Sequence, residues 1–382
     1  MHDRKILYLQ YTNPAGYPPL EHSSQILANQ GWQILFLGTG ALGADALRFP
    51  THPNIVVRQL PFCPAGWQQK IHYLYFCLWV IGWAIRWQPQ WIYASDLLSC
   101  PIGQLLSYFP KLKIIYHEHD SPGDHSQGLG MRFCLWSRKK IGARAKLCIS
   151  PNESRKKRFE SETGGHRNSL WIWNCPSKKE VSAPRLSYDG HSLRIVYHGS
   201  IVPQRIPITV LEALALFSDV RLRIIGYETV GHQGYIQELQ TSAKKLGLEH
   251  RIEILGPVPH AEVLRCSRDC DVGLSFIPRN SRDPNFLHMA GASNKPFDYL
   301  ANGLAVLVSE LPDWKKMYVE PGYGLACDPD DSKSIAEALR WFLDHPREMR
   351  EMGERGRQRI LAEWNYEQQF SHVLKRLNGE AI

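Results

Sequence analysis

The chain has 382 residues, 43% hydrophobic and 21% charged, a globular balance too long for one core, so two or three domains are expected. Nine widely spaced cysteines exclude a dense disulfide framework and point to reduced thiols in a cytoplasm. The net charge of +8 is unevenly spread, and the longest apolar run, Tyr73 to Ile85, is well short of the ~20 residues that cross a bilayer.

The opening MHDRKILYLQY reads as a first strand, over Lys5 to Gln10, rather than as a signal peptide. A helix over Leu20 to Gln30 and strands at Gln33 to Leu37, Ile55 to Val57, Trp91 to Ala94, Lys113 to Tyr116, Leu147 to Ser150 and Leu170 to Trp173 follow. Asn174 to Ser192 is polar, rich in turn formers and aperiodic, and reads as a linker. A second alternation then begins. Strands are expected at Leu193 to Tyr197, Arg221 to Ile225, Ile252 to Leu255, Val272 to Phe276 and Ala305 to Val308. Helices are expected at Ile208 to Phe217, Tyr235 to Leu246 and His260 to Cys266, with long helices from Ser332 onward. Two such arrays predict an α/β fold of two doubly wound, parallel-sheet, Rossmann-like domains facing a cleft, with ligands at the carboxyl ends of the strands.

Two motifs mislead. GTGALG, Gly38 to Gly43, is a literal dinucleotide fingerprint, but it follows the second strand and has no acid ~20 residues on. HEHDSPGDH, His117 to His125, offers His117, Asp120 and His125 after a strand, but its spacing fits no compact metallohydrolase constellation. Cys266 and Cys270, four apart on a helix, read as two small buried side chains rather than half a zinc site. Between Arg132 and Arg158, ten basic residues face one acid, Glu153. Phe133, Leu135 and Trp136 precede Arg138, Lys139 and Lys140, a pattern closer to an interfacial helix on an anionic membrane surface than to a nucleic-acid groove. No nucleic-acid partner is expected.

In SNKPFDYLANG, Ser293 to Gly303, a lysine, a proline and an aspartate crowd the start of a very short helix that Gly303 ends. In order along the second half stand YHGSIVPQR, RIIGYE, RIEILGPVPHAEV, CDVGLSF and SNKPFDYLANGLAVLVSELPDW. This series resembles the nucleotide-sugar-binding domain of retaining glycosyltransferases with the GT-B fold, most like family 4 (group 1). SPNESRKKRF and NCP resemble late first-domain elements of that family, so the resemblance covers nearly the whole chain. It implies an acceptor-side domain over residues 1–180, a donor-side domain over 181–365, and a helix over 366–382 returning to the first domain.

Residue by residue, the resemblance puts Arg205 where the family has a lysine on the donor diphosphate, with Gly199, Ser200 and Gly226 in loops near the phosphates. Gly256, Pro257 and Val258 fall where backbone reads the base, and Gly291 and Ala292 precede the short helix. Lys295 adds charge at the phosphates, and Asp298 matches the second of two family glutamates, the one that holds ribose hydroxyls. The first glutamate falls at Ala290, a departure that leaves no carboxylate there. In the first domain Gly16 lies where backbone approaches the donor or acceptor. His119 resembles a cleft histidine that contacts the transferred sugar or orients the acceptor.

The implied activity is a metal-independent, retaining hexosyltransferase-type transfer from a nucleoside diphosphate sugar, a UDP-sugar foremost, to a hydroxyl of a glycan, glycolipid or small molecule. His119, Arg205 and Lys295 are the catalytic candidates. No cofactor beyond the co-substrate and no metal are expected, because no DxD pair stands in a suitable loop. The location implied is cytoplasmic, peripheral at the inner membrane face. A nucleotide-sugar epimerase on the same fold, or a noncatalytic sugar-nucleotide-binding partner, are the rivals.

Overall fold

The computed structural model describes residues 4–41, 47–123, 128–164, 168–185, 192–229 and 231–379. Its strands form two sheets, of seven and six strands, with every pairing parallel. The chain divides into two compact units. The first holds Met1–Trp173 with the segments Asp283–His288 and Phe370–Ile382, and the second holds Asn174–Arg282 and Met289–Gln369.

In chain order the first unit contains β1 (Lys5–Leu9), α1 (Pro18–Asn29), β2 (Gln33–Thr39), β3 (Ile55–Leu60), α2 (Trp67–Trp87) and β4 (Trp91–Ser95). It continues with α3 (Cys100–Leu106), β5 (Lys113–His117), α4 (Leu129–Arg144), β6 (Leu147–Ser150), α5 (Glu153–Thr163) and β7 (Ser169–Trp171). The strand order is β3-β2-β1-β4-β5-β6-β7, so the winding reverses between β1 and β4 and the loops after those strands open there. Central strands such as KILYL are continuous apolar runs because helices cover both faces. On one face Leu7, Leu35 and Ile92 pack with Phe76 and Val80 of α2, Ile102 of α3 and Ile141 of α4. On the other, Tyr8 stacks on Tyr93 with ring centroids 4.3 Å apart and donates its hydroxyl to Ser23 of α1.

The second half of the chain gives β8 (Leu193–Ser200), α6 (Ile208–Ala215), β9 (Val220–Tyr227), α7 (Tyr235–Lys245), β10 (Ile252–Leu255), α8 (His260–Ser267) and β11 (Val272–Ser275). Then come α9 (Pro284–Leu287), which belongs to the first unit, α10 (Lys295–Ala301), β12 (Ala305–Ser309) and α11 (Pro312–Trp314). The chain ends with β13 (Gly324–Cys327), α12 (Ser332–Asp344), α13 (Pro346–Ala362) and α14 (Tyr366–Leu377). The order β10-β9-β8-β11-β12-β13 again reverses beside the first strand of the unit. Ile195, Leu222, Leu274 and Leu307 build the core with Val210 and Leu214 of α6 and Leu339 of α12. The amphipathic α12 starts where the Asp331 side chain accepts from the Lys333 amide at 2.9 Å.

Three features depart from the expected elements. The strand β13 was not expected, since GLAC is short and follows a helical turn. The first part of the expected linker is packed rather than free: Asn174 Nδ2 donates to the Ala292 carbonyl at 2.6 Å, Ser177 Oγ to Glu367 at 2.5 Å, and Arg357 to the Ser182 carbonyl at 3.1 Å. Its polar groups bond both backbone and side chains of the second unit, which composition alone does not show. The run Tyr73 to Ile85 is the centre of the 21-residue helix α2, and no helix among the described residues is long and apolar enough to cross a membrane. Residues Leu42, Gly43 and His125 of the two misleading motifs lie outside the described residues.

Candidate functional site

The second unit gathers its candidate residues where β8, β9 and α10 meet. One residue before the end of β8, Gly199 faces Gly226 of β9 across the parallel register, and both have positive φ, 116° and 156°. A Cβ on Gly226 would overlap the Gly199 carbonyl, and one on Gly199 would lie 2.7 Å from Lys295 Cε and 2.9 Å from its Nζ. The lysine stem therefore runs over bare backbone, with its ammonium 6.0 Å from the Tyr197 ring.

α10 is held by its own core residue. The ring of Tyr299 covers Gly273 of β11, where a side chain would collide with it. Its hydroxyl donates to the Leu274 carbonyl and accepts from the His198 amide, both at 3.1 Å. Lys295 and Asp298, on the same short helix, are thereby fixed against β8. The Lys295 ammonium is pushed down to about 7, first by burial and then by the charge of Arg205, with Asp298 opposing. Arg205 itself follows a turn closed by its amide on the Val202 carbonyl at 3.0 Å. Two repelling cations at the carboxyl end of β8 make a place where an anion is stabilised.

Asp298 is only 2% exposed, and its Oδ2 accepts from His260 Nε2 at 3.1 Å and Asn294 Nδ2 at 3.2 Å, while its buried Oδ1 has no partner. Burial alone would lower the His260 pKa, but Asp298 and Glu180, whose Oε1 lies 3.5 Å from Nδ1, hold it well above the ordinary value. His198, 3.5 Å from the same carboxylate oxygen, is lowered by burial, Lys295 and His260, and stays neutral. One imidazolium, one imidazole and one carboxylate thus share a buried cluster. Sequence reasoning missed both histidines, although each stands inside a quoted motif, YHG and PVPHAEV.

Other expected residues take simpler places. Gly256, Pro257 and Val258 form the loop after β10, just before His260, and nothing crowds Gly256. Gly291, with φ of 75°, and Ala292 make the turn before α10, both accepting from Asn174, the former from its amide at 3.1 Å. Ala290 precedes that turn. Ser200 accepts from the Tyr197 hydroxyl at 2.5 Å through its carbonyl.

In the first unit the carboxyl ends of β1, β4 and β5 converge. Gly16 is exposed in a turn whose Asn13 side chain accepts from the Ala15 amide, and Tyr17 then lies 5.3 Å from the His119 ring. His119 is buried against His117, centroids 3.8 Å apart, and neither of its ring nitrogens has a hydrogen-bond partner. Burial pushes it down to about 4, so it is a neutral imidazole able to donate or accept. Sequence reasoning missed its neighbour Asp96. With φ of 62° and ψ of 174°, this non-glycine residue occupies a costly backbone region at the end of β4. Its Oδ1 accepts from the His119 amide at 2.8 Å and its Oδ2 from Gln10 at 3.1 Å, while burial raises it to about 6.

His117 and Glu118 of HEHD take structural bonds. Glu118 accepts from Arg138 at 2.5 and 2.8 Å and from Tyr116 at 2.9 Å, and Tyr93 bonds His117 Nδ1 at 2.6 Å. Arg155, 1% exposed, donates to the carbonyls of His119, His288 and Asn285 at 2.7, 3.0 and 2.8 Å. Two of the ten basic residues counted from Arg132 to Arg158 are thus internal struts.

Residues 205–375 match the family described as Glycosyl transferase-like. No curated protein sequence matches the chain. Among solved structures, sucrose-phosphate synthase from Thermosynechococcus elongatus is 17% identical with a TM-score of 0.73, covering 98% of this chain and 100% of its own. The Anabaena protein HepE, in complex with UDP-glucose, is 16% identical with a TM-score of 0.70, over 98% and 99% of the two chains. A trehalose-phosphate synthase (UDP-forming) from Burkholderia vietnamiensis is 12% identical with a TM-score of 0.67, over 98% and 100%. The two parallel sheets share the GT-B fold of these neighbours, and within that fold residues 205–375 are similar to a glycosyl transferase-like family.

Proposed function

We propose that this protein transfers a sugar from a UDP-sugar to an acceptor hydroxyl, with retention of configuration and without a metal. The observation that carries the reading is Lys295, laid over the bare Gly199 backbone at the carboxyl end of β8, with Arg205 close enough for its charge to act on the ammonium. Cleaving a glycosyl phosphate bond builds negative charge on the leaving diphosphate, and fixed cations in a partly buried site stabilise that charge more as it grows. They supply the neutralisation that a divalent ion would otherwise give. Uridine as the base is supported by HepE and the trehalose-phosphate synthase, whose names carry UDP. The buried, unpartnered Oδ1 of Asp298 suits a ribose hydroxyl, since a donor would remove an unmet acceptor worth about 1–3 kcal/mol.

In the first unit His119 contacts the transferred sugar or the acceptor, and Asp96, with its raised pKa, is the group fitted to take the acceptor's proton. Retention is the finer element of the proposal, because Ala290 leaves the first family carboxylate unfilled. The acceptor is a glycan or glycolipid, met from the cytoplasmic side of a membrane, and the hexosyl nature of the donor follows the same resemblance.

Calorimetric titration with UDP, GDP, ADP and CMP, repeated on Arg205→Ala and Asp298→Ala, tests the donor site. Micromolar binding of UDP, about −8 kcal/mol, lost in both variants, is the expected result. Equal binding by parent and variants, or none by any nucleotide, overturns the assignment. Product analysis with UDP-glucose and other UDP-sugars then separates a new glycoside from an epimerised donor or from binding without turnover.

A further inference from the structure

One face of the first unit is built from α2, α3 and α4, whose inner residues share the same core. These three helices hold 44 residues without a single aspartate or glutamate, whereas the chain average of 37 acids in 382 would place about four there. Their outer side is apolar. Along α2, Trp67, Ile71, Leu74, Leu78 and Ile85 recur at helical spacing on the side opposite the buried Phe76, Val80 and Ala84, and Trp67 is 69% exposed. Along α4, Leu129, Phe133 and Trp136 are exposed on the first turns, Leu129 at 83%. Arg132, Lys139, Lys140 and Arg144 are exposed on that same helix. Tyr108 and Phe109 add exposed aromatic area after α3, where Arg144 lies 4.2 Å over the Tyr108 ring. Between the carboxyl ends of α2 and α3 the face is notched by an apolar groove of about 430 Å3, lined by Ile81, Ile85, Leu106, Phe109 and Leu112.

An exposed apolar area of this extent marks an interaction surface. Its partner is identified by charge. Basic residues beside interfacial aromatics, with every acid excluded from the helices, complement an anionic headgroup layer, and α2 is too short in apolar length to span one. We propose that the α2–α3–α4 face docks on an anionic bilayer. The aromatic and aliphatic side chains enter the headgroup boundary, the basic residues of α4 sit among the phosphates, and the groove receives the apolar part of a lipid. This deepens the peripheral position in the proposed function by naming the face and the lipid chemistry.

The test is co-sedimentation of the full chain with vesicles of phosphatidylcholine alone and of phosphatidylcholine mixed with phosphatidylglycerol. Binding is expected to the mixed vesicles only, weakening as salt is raised. The double variants Leu74→Glu with Leu78→Glu, and Lys139→Glu with Lys140→Glu, are each expected to lower the partition by at least about tenfold. Circular dichroism and thermal unfolding of the same variants show that they are folded. Equal binding to neutral and anionic vesicles, or unchanged partition in both variants, overturns the proposal. So does a dimer, seen by ultracentrifugation and abolished by the same variants, in a protein that ignores vesicles. Vesicle binding that persists in a protein with no UDP affinity leaves this proposal standing and sinks only the donor reading.

Discussion

An ammonium held near 7 changes charge within the physiological range, and a diphosphate beside Lys295 must draw it back to the charged form. UDP affinity is therefore expected to be greatest below pH 7 and to fall as pH rises towards the pKa of the complex, with proton uptake on binding. Titrations in two buffers of different ionisation enthalpy measure that uptake, and Lys295→Met should abolish it and weaken binding at least tenfold. Asp96 yields a test of opposite sign. Its folded pKa of about 6 lies above the 3.8 of an ordinary aspartate, so between these values the folded state binds more protons and stability falls as pH rises. Asparagine suits its positive φ, and Gln10 Oε1, now without a partner, can accept from the new amide. Asp96→Asn is expected to raise thermal stability at pH 7.5, with no gain at pH 4, while reducing turnover by 10²-fold or more. A destabilised variant with full activity would remove Asp96 from the chemistry.

At the level of elements, α10 is a short helix whose position depends on what lies beneath and beside it. Gly226→Ala forces β8 and β9 apart at the Gly199 carbonyl and is expected to cost more than about 2 kcal/mol in denaturant unfolding. Breaking the His260–Asp298 pair with His260→Ala leaves a buried carboxylate unmatched, at roughly 3–5 kcal/mol near neutral pH. Because the folded pKa of His260 is raised, its contribution is complete below the unfolded value of 6.5 and disappears as pH climbs through the folded one. Apolar runs bounded by turn residues made most strands legible, β6 and β10 to the residue. Other features had no local signature. The His260 imidazolium is set by Asp298 and Glu180, 38 and 80 positions away, and Asp96 is held in a loop whose bonding partners lie just after β1 and after β5. Lys295 was readable as a charge near phosphates, but its depressed pKa arises from burial first and from Arg205, 90 positions away, second.

Across the whole molecule, the two alternating arrays foretold two parallel sheets, since helix and strand periods switch cleanly along the chain. The membership of each unit was less legible, because Asp283–His288, deep in the second half of the chain, is counted with the first unit, as is the segment from Phe370, whose Phe370 and Val373 are wholly buried. Ending the chain at Gln369 is expected to lower the melting temperature of the first unit by roughly 10 °C, as judged by scanning calorimetry. Arg155 shows what such discontinuity means during synthesis. The Asn285 and His288 carbonyls that it bonds lie 130 and 133 residues downstream, and a ribosome adding about 10 residues per second delivers them some 13 seconds after the arginine itself. The amino-terminal half therefore emerges with a guanidinium whose acceptors are still being translated. Its final locking step must wait until most of the second unit has left the exit tunnel, which makes completion of the first unit the last event of assembly rather than the first.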